Sequence, residues 1–314
     1  AMPPAFMAAL ADRARRGDGL SRLPIYYMHG SAAAAETILA DDLVGVLRPH
    51  SLFMSGHDRR FAQRGAVKGE IWLRFVPCMF HQVGRLLTEQ ATPDCFVTTV
   101  SPMDRSGHFS LGTNPDYAAT VMRKAKRVIV EVNRHMPRTF GECLLHVRDA
   151  DMVLEHDALL METPSHPAAP EDEAIARLIA AEIPDRATIQ MGVGGVPASV
   201  VAQLRDRRDL GLHSELISPP LVDLIKAGVI TGAAKSVMPH KHVFTLALGD
   251  AAMFDFMNDN PSVTGYPAAW VNSPAVIRKK KAMISVNSAI EIDLSGQINS
   301  ESIDGRQFSG TGGQ

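Results

Sequence analysis

Four short stretches of the chain concentrate the residues that could do chemistry. Gln190-Met-Gly192-Val-Gly194-Gly195-Val-Pro197 lies between a strand-like run and a helix-like run. Its glycines permit positive φ and let a ligand approach backbone N–H groups at a helix N-terminus, so the loop suggests an anionic ligand. A tight strand-to-helix turn with no ligand fits the same residues. No Lys-Ser/Thr pair follows the glycines as a P-loop requires, and Pro197 stands where a dinucleotide fingerprint needs its third glycine. Leu210-Gly-Leu-His213-Ser214-Glu215-Leu-Ile217 places a glutamate in an apolar run just before Pro219-Pro220. That carboxylate is either on a solvated edge or at a strand end facing a cleft, and a strand end following a Gly-rich turn is where open α/β sheets hold ligands.

The other two stretches lie near the end of the sequence. In Asn287-Ser-Ala-Ile290-Glu291-Ile-Asp293-Leu-Ser-Gly296-Gln297, Glu291 and Asp293 share a face by the period of two, as an acid/base pair or as solvated charges. Ser309-Gly310-Thr-Gly312-Gly313-Gln314 is a second glycine-rich element directly after strand-like and turn-like residues.

These stretches need a scaffold, and the sequence describes an α/β one. Cys95–Val100 and Arg127–Val132 are short β-branched runs with a helical stretch, Tyr117–Lys126, between them, which is the parallel strand-helix-strand unit. Thr188–Met191, Val243–Leu248 and Ala282–Val286 repeat the pattern, separated by helix-like segments at Pro197–Arg208, Pro219–Ala227 and Ala251–Met257. The proline-rich Thr163–Pro170 and the acidic Glu171–Glu173 read as a connector. The expectation is two similar α/β domains with open, mostly parallel sheets, at residues 1–165 and 174–314.

An internal duplication supports that division. Pro4-Ala-Phe-Met-Ala-Ala9 resembles Pro197-Ala-Ser-Val-Val-Ala202, and Asp104-Arg-Ser-Gly107 resembles Asp293-Leu-Ser-Gly296, at offsets of 193 and 189 residues. By that period the chain starts inside its first domain and stops inside its second, since a counterpart of Arg127–Val132 would fall near 316–321.

At 314 residues with 46% hydrophobic content the chain can bury two ordinary cores. The 32 basic and 34 acidic residues leave a net charge of -2, which suggests neither a nucleic acid nor a membrane surface as partner. Cys78, Cys95 and Cys143 form no C-x-x-C pair, so neither a disulfide framework nor a thiolate metal site is expected. A soluble, cytoplasmic protein without bound metal is the default reading.

Taken in order, Q-M-G-V-G-G-V-P, L-G-L-H-S-E, V-N-S-P, N-S-A-I-E-I-D-L-S-G-Q and S-G-T-G-G-Q resemble the acetyl-CoA hydrolase/transferase family, which includes 4-hydroxybutyrate, butyryl-CoA:acetate and succinyl-CoA:acetate CoA-transferases. Val100–Gly112 and Glu131–Arg138 fit as well. The resemblance covers nearly the whole chain. It implies that Glu215 is the nucleophile, forming a glutamyl-CoA thioester, that Gly313 supplies a backbone oxyanion donor, and that Asn272 lies near the reacting glutamate. Gly192, Val193, Gly194, Gly195, Val196, Asn287, Ile290 and Gly312 match CoA-contacting positions. It also implies coenzyme A and acyl-CoA as substrates with no prosthetic group, short-chain carboxylates as partners, and a homodimer or higher homo-oligomer.

The chain departs from the family where many relatives read H-T-E-M and then S-D-G; here they are His213-Ser-Glu-Leu216 and Ser218-Pro-Pro220. The acyl substrate is therefore open, with 4-hydroxybutyrate, butyrate and itaconate among the acids to consider. Arg59, Arg60, Arg64, His108 and Lys124 are basic residues that could hold a second carboxylate. An acyl-CoA hydrolase using the same glutamate is the nearest rival; a nucleotide-binding dehydrogenase or a non-catalytic sensor of CoA esters is the more distant one.

Overall fold

The computed structural model describes residues 2–163 and 168–313. They form two compact units, one of Phe80–Ser288 with Gly313, the other of Met2–Met79 with Ala289–Gly312. These units do not coincide with the halves on either side of the connector. The reason is visible in the pairing: Phe140–Gly141, from before the connector, lies parallel to Val263–Gly265, from after it. Pro164 to Pro167 fall outside the described residues. The acidic run is helix rather than linker, because Glu171, Asp172 and Glu173 form the first turn of Pro170–Ala181, where negative charge favours the helix dipole.

The larger unit is a set of small, mostly parallel open sheets. Cys95–Val100, Arg127–Val132 and Met152–Glu155 form one in that spatial order. Thr188–Met191 is the middle strand of a second, between Gly211–Leu212 and Met283–Val286. His242–Phe244 pairs with Val263–Gly265 in a third, and Leu216–Ile217 pairs with Leu246–Ala247. Thr188–Met191 is buried at every position, as a central parallel strand is, with Gln190 the one amide in an otherwise apolar and β-branched run. Ile189, Met191, Val200, Leu204, Leu210 and Phe244 lie in one core around it.

Two expected elements differ. Val243–Leu248 is not one strand: it is split at Thr245 between two sheets. The helix at Tyr117–Lys126 is a single turn, Ala118–Val121, after which the chain continues in tight turns. The other helices start close to their expected residues, at Gly195, Pro219 and Ala251.

The smaller unit holds the parallel strands Leu23–Tyr27, Leu47–Ser51 and Arg74–Phe75, covered by the helices Pro4–Arg16 and Gly56–Val67. Its polar hub is Asp58, fully buried, whose carboxylate accepts from the Tyr27 hydroxyl at 2.7 Å and from the Gly30 and Ser55 N–H groups at 2.8 Å. Ser55 in turn caps the same helix, accepting from the Asp58 N–H.

The turns at Asp104 and Asp293 share three side-chain bonds. Asp104 Oδ1 accepts from the Ser106 N–H, the Ser106 hydroxyl and the His108 N–H at 2.9, 2.8 and 2.9 Å. Asp293 Oδ1 accepts from the Ser295 N–H, the Ser295 hydroxyl and the Gln297 N–H at 2.8, 2.7 and 2.9 Å. Gly107 and Gly296 close the turns at φ +83° and +87°, in the left-handed region where glycine carries no Cβ penalty. This makes Asp293 a turn-former, not half of an acid/base pair with Glu291. Among the described residues no helix is long and apolar enough to cross a membrane, and no cluster of His, Cys, Asp and Glu could hold a metal ion.

Asp58→Ala would strand two buried donors and one part-buried one, at a cost of about 3 kcal/mol. The expected result is a fall in Tm of the smaller unit by roughly 10–20 °C, with a smaller fall for Asp58→Asn, read by thermal unfolding.

Candidate active site

Glu215 sits where its strand changes partner. Gly211–Leu212 pairs with Thr188–Ile189, whereas Leu216–Ile217 pairs with Leu246–Ala247. At the change, the Glu215 carbonyl accepts from two successive N–H groups, Thr245 at 3.1 Å and Leu246 at 2.9 Å. Two residues opposing one is the geometry of a bulge, which re-aims a side chain. It also accounts for the split of Val243–Leu248.

The partly buried Glu215 carboxylate meets two other residues. Asn272 Nδ2 donates to its Oε2 at 2.6 Å. Gly313 presses its Cα against the same oxygen: a Cβ at that position would collide with Glu215 Oε2 and lie 2.7 Å from Asn272 Nδ2. Burial raises the carboxyl to a pKa of about 7, the Asn272 N–H acts in the opposite direction, and the negative charge of Asp116 adds to the rise. The structure thus brings Glu215, Asn272 and Gly313 together.

Asn272 is set by the turn of helix Ala268–Val271 that precedes it, its N–H bonded to the Ala268 carbonyl at 2.9 Å. Buried His213, two residues before Glu215, braces that helix: its Nε2–H donates to the Val271 carbonyl at 2.9 Å, and its ring lies 5.4 Å from that of Trp270. Burial lowers the imidazole to a pKa of about 3, so it is neutral and serves as a brace, not an acid. Asp116 ties the same parts from another side. Its N–H donates to the Thr245 carbonyl at 3.1 Å, and its carbonyl accepts from the Ala268 N–H at 2.9 Å. Its buried carboxyl is raised to a pKa of about 6 by desolvation.

The glycine loop forms a second cluster in the same unit. Gly192 follows the central strand, and a Cβ there would come 2.8 Å from Asn287 Oδ1. Asn287 and Gln190 face each other amide to amide at 3.3 Å, and the Ser288 hydroxyl donates to the Val193 carbonyl at 3.3 Å. Val193, Gly194 and Gly195 are exposed, and Val196 is half-buried at the start of helix Gly195–Ala202. The Asp172 carboxylate occupies the space a Gly195 Cβ would need, so an acidic side chain already stands beside that helix end. Ile290 and Gly312 lie in the smaller unit, Ile290 in a hairpin with its N–H on the Asn299 carbonyl at 2.9 Å, Gly312 at φ +57° against Phe53.

Of the basic residues considered for a second carboxylate, four make other contacts and one is exposed. Arg59 donates to the Met54 and Phe308 carbonyls, Arg60 meets His57, Arg64 pairs with Asp41, His108 packs on His146, and Lys124 is exposed. Asp116 carries no expectation from the sequence, and Ser214 none beyond its place beside Glu215. Asp116 follows Gly112-Thr-Asn-Pro, a turn signature, but nothing local ties it to residues so far along the chain.

Residues 1–162 match the acetyl-CoA hydrolase/transferase N-terminal domain, and residues 249–314 match the C-terminal domain of that name. The chain belongs to the acetyl-CoA hydrolase/transferase family. With membership comes the CoA-transferase class of enzyme. A succinyl-CoA:cyclohexane-1-carboxylate CoA transferase from Geobacter metallireducens is 36% identical over 312 residues, covering 99% of this chain and 69% of its own. A 4-hydroxybutyrate coenzyme A transferase from Clostridium kluyveri is 39% identical over 268 residues, covering 85% of this chain and 61% of its own. The crystal structure of RipA from Yersinia pestis superposes with a TM-score of 0.94 at 42% identity, covering 97% of this chain and 70% of that one. Glu215 falls between the two matched domains, in a stretch that the alignment over 312 residues includes.

Were Glu215 to act as a nucleophile it would have to be ionised, so kcat/KM for acyl-CoA should then rise with pH to a midpoint near 7, falling about tenfold per unit below it. Asn272→Ala removes a donor to the charged form and should move the midpoint up. Asp116→Asn removes a neighbouring negative charge and should move it down. Unmoved profiles in both variants would contradict this account of the carboxyl's environment.

Proposed function

We propose that the protein exchanges coenzyme A between a short acyl-CoA, acetyl-CoA or succinyl-CoA, and a short carboxylic acid such as 4-hydroxybutyrate, butyrate or itaconate, with Glu215 as nucleophile. One observation carries the reading: a shielded carboxylate, held by the Asn272 amide and abutting a glycine with no room for any side chain. The matches to relatives named as CoA-transferases support the same reaction class.

A Glu215 oxygen attacks the thioester carbonyl, the carbon–sulfur bond breaks, and CoA thiolate leaves an acyl-glutamyl anhydride. The thiolate then attacks the Glu215 carbonyl, expelling the donor acid and forming a glutamyl-CoA thioester. The acceptor carboxylate reverses both steps, and its oxygen restores the side chain. Each attack passes through an oxyanion, for which the Asn272 amide and the main chain at Gly313 are the proposed donors; loss of one such donor typically slows an enzyme ~100–1,000-fold. Gly192 to Val196, Asn287, Ile290 and Gly312 are the proposed contacts to CoA. The repeated domains at 1–165 and 174–314, assembly as a homodimer or higher homo-oligomer and a cytoplasmic location complete the proposal; the twin aspartate turns support the repeat.

Incubation with acyl-CoA should leave CoA on the peptide containing Glu215, seen by mass spectrometry after trapping. Glu215→Gln should abolish transfer. Glu215→Asp should lose roughly 100-fold, because one methylene moves the attacking oxygen by about 1 Å. Full transfer by Glu215→Gln would refute the mechanism, and thioester loss that needs no acceptor acid would reassign the activity to hydrolysis.

A further inference from the structure

We propose that Ser214 is a positioning residue whose hydroxyl locks the nucleophile to the start of the glycine loop. The inference rests on the reading of Glu215 as nucleophile. Ser214 is fully buried, and its Oγ meets both main-chain polar groups of Met191, accepting from the N–H at 3.2 Å and donating to the carbonyl at 3.3 Å. Met191 immediately precedes Gly192, as Ser214 immediately precedes Glu215. One oxygen therefore fixes the spacing of the two.

The strand register shows why a hydroxyl stands here. The Gly211 N–H goes to the Ala187 carbonyl at 2.8 Å and the His213 N–H to the Ile189 carbonyl at 3.1 Å. A continuing parallel ladder would send the Glu215 N–H to the Met191 carbonyl and the Met191 N–H to the His213 carbonyl. The chain leaves the sheet instead: the Ser214 N–H turns to the Val243 carbonyl at 3.0 Å, and the Glu215 carbonyl takes the Thr245 and Leu246 N–H groups. Met191 is buried, so a donor and an acceptor left behind by this departure need partners. A hydroxyl supplies both roles from one atom, and Ala supplies neither. Because the hydroxyl substitutes for the ladder, Glu215 can turn away without loosening the strand that leads into Gly192.

The test compares Ser214→Ala and Ser214→Thr with the parent and with Glu215→Gln, all in the full chain. Ser214→Ala should lower kcat per titrated site ~10–100-fold, because misplacement of about 1 Å has effects of that size. It should also speed amide exchange in the peptide spanning 189–192, and Ser214→Thr, which keeps the hydroxyl, should restore both. A purely structural role would reduce the number of sites that accept CoA while leaving the rate per site unchanged, and that result overturns the proposal. So does parent-like exchange in Ser214→Ala, or a Thr variant no better than Ala. If Ser214→Ala fails to fold, Ser214→Cys keeps the shape, weakens both bonds and reads the same quantities. Transfer by Glu215→Gln would remove the nucleophile reading alone, since exchange at Met191 reports the hydroxyl's bonds independently of chemistry.

Discussion

The Glu215 carbonyl accepts two successive N–H groups, from Thr245 and Leu246, and most of the site's geometry follows from that bulge. It lies where the pairing with Thr188–Ile189 has given way, through the His213–Val243 bridge, to the pairing of Leu216–Ile217 with Leu246–Ala247. It splits the facing run into two strands and turns the Thr245 carbonyl toward Asp116. Asp116 in turn holds Ala268, the first residue of the helix that delivers Asn272. The carboxylate and the amide that touches it are thus positioned by one connected set of main-chain bonds. Side chains add to it at His213 and Ser214, both buried.

The electrostatics of the site balance two opposing demands. Shielding a carboxylate from water disfavours its charged form, and the nearby Asp116 charge adds to that effect. The Asn272 amide works the other way by donating to the ionised oxygen. The outcome, a carboxyl titrating at about 7, leaves a large fraction ionised at neutral pH while withholding the hydration shell that would blunt an attack.

Much of this was legible in the sequence where the signal is local. Cys95–Val100, Arg127–Val132 and Thr188–Met191 have the expected ends because β-branched runs bounded by turn residues have few other conformations. The Asp-x-Ser-Gly turns were legible for the same reason. The break at Thr245 was not, since threonine is as strand-prone as its neighbours and the break is imposed by a carbonyl thirty positions earlier in the chain. The glycines at 192 and 195 suggested close approach, but the approaching groups, Asn287 and Asp172, are set by tertiary folding. Asp116 and Ser214 act through partners that no spacing rule connects, and the acidic run after the connector looked like linker because helix-opening acids and solvated acids have the same composition. The motif order that carried the family resemblance holds information of a different kind, which no single residue's physical chemistry supplies.

The strand Phe140–Gly141 pairs with Val263–Gly265, and that pairing has a consequence for how the protein is made. A nascent chain emerges from its N-terminus, so Gly141 leaves the ribosome 124 residues before Gly265 does. At ~5–20 residues per second this is a wait of roughly 6–25 s, far longer than secondary structure takes to form. Throughout it the first half presents an unpaired strand edge that a second nascent chain on the same message could capture. The strand is two residues long and ends in a glycine at φ +109°, a conformation that resists extended pairing with the wrong partner. Shortness that adds little to the folded sheet thus protects the half-made one, and the surroundings of Glu215 are completed only once Asn272 and Gly313 have emerged.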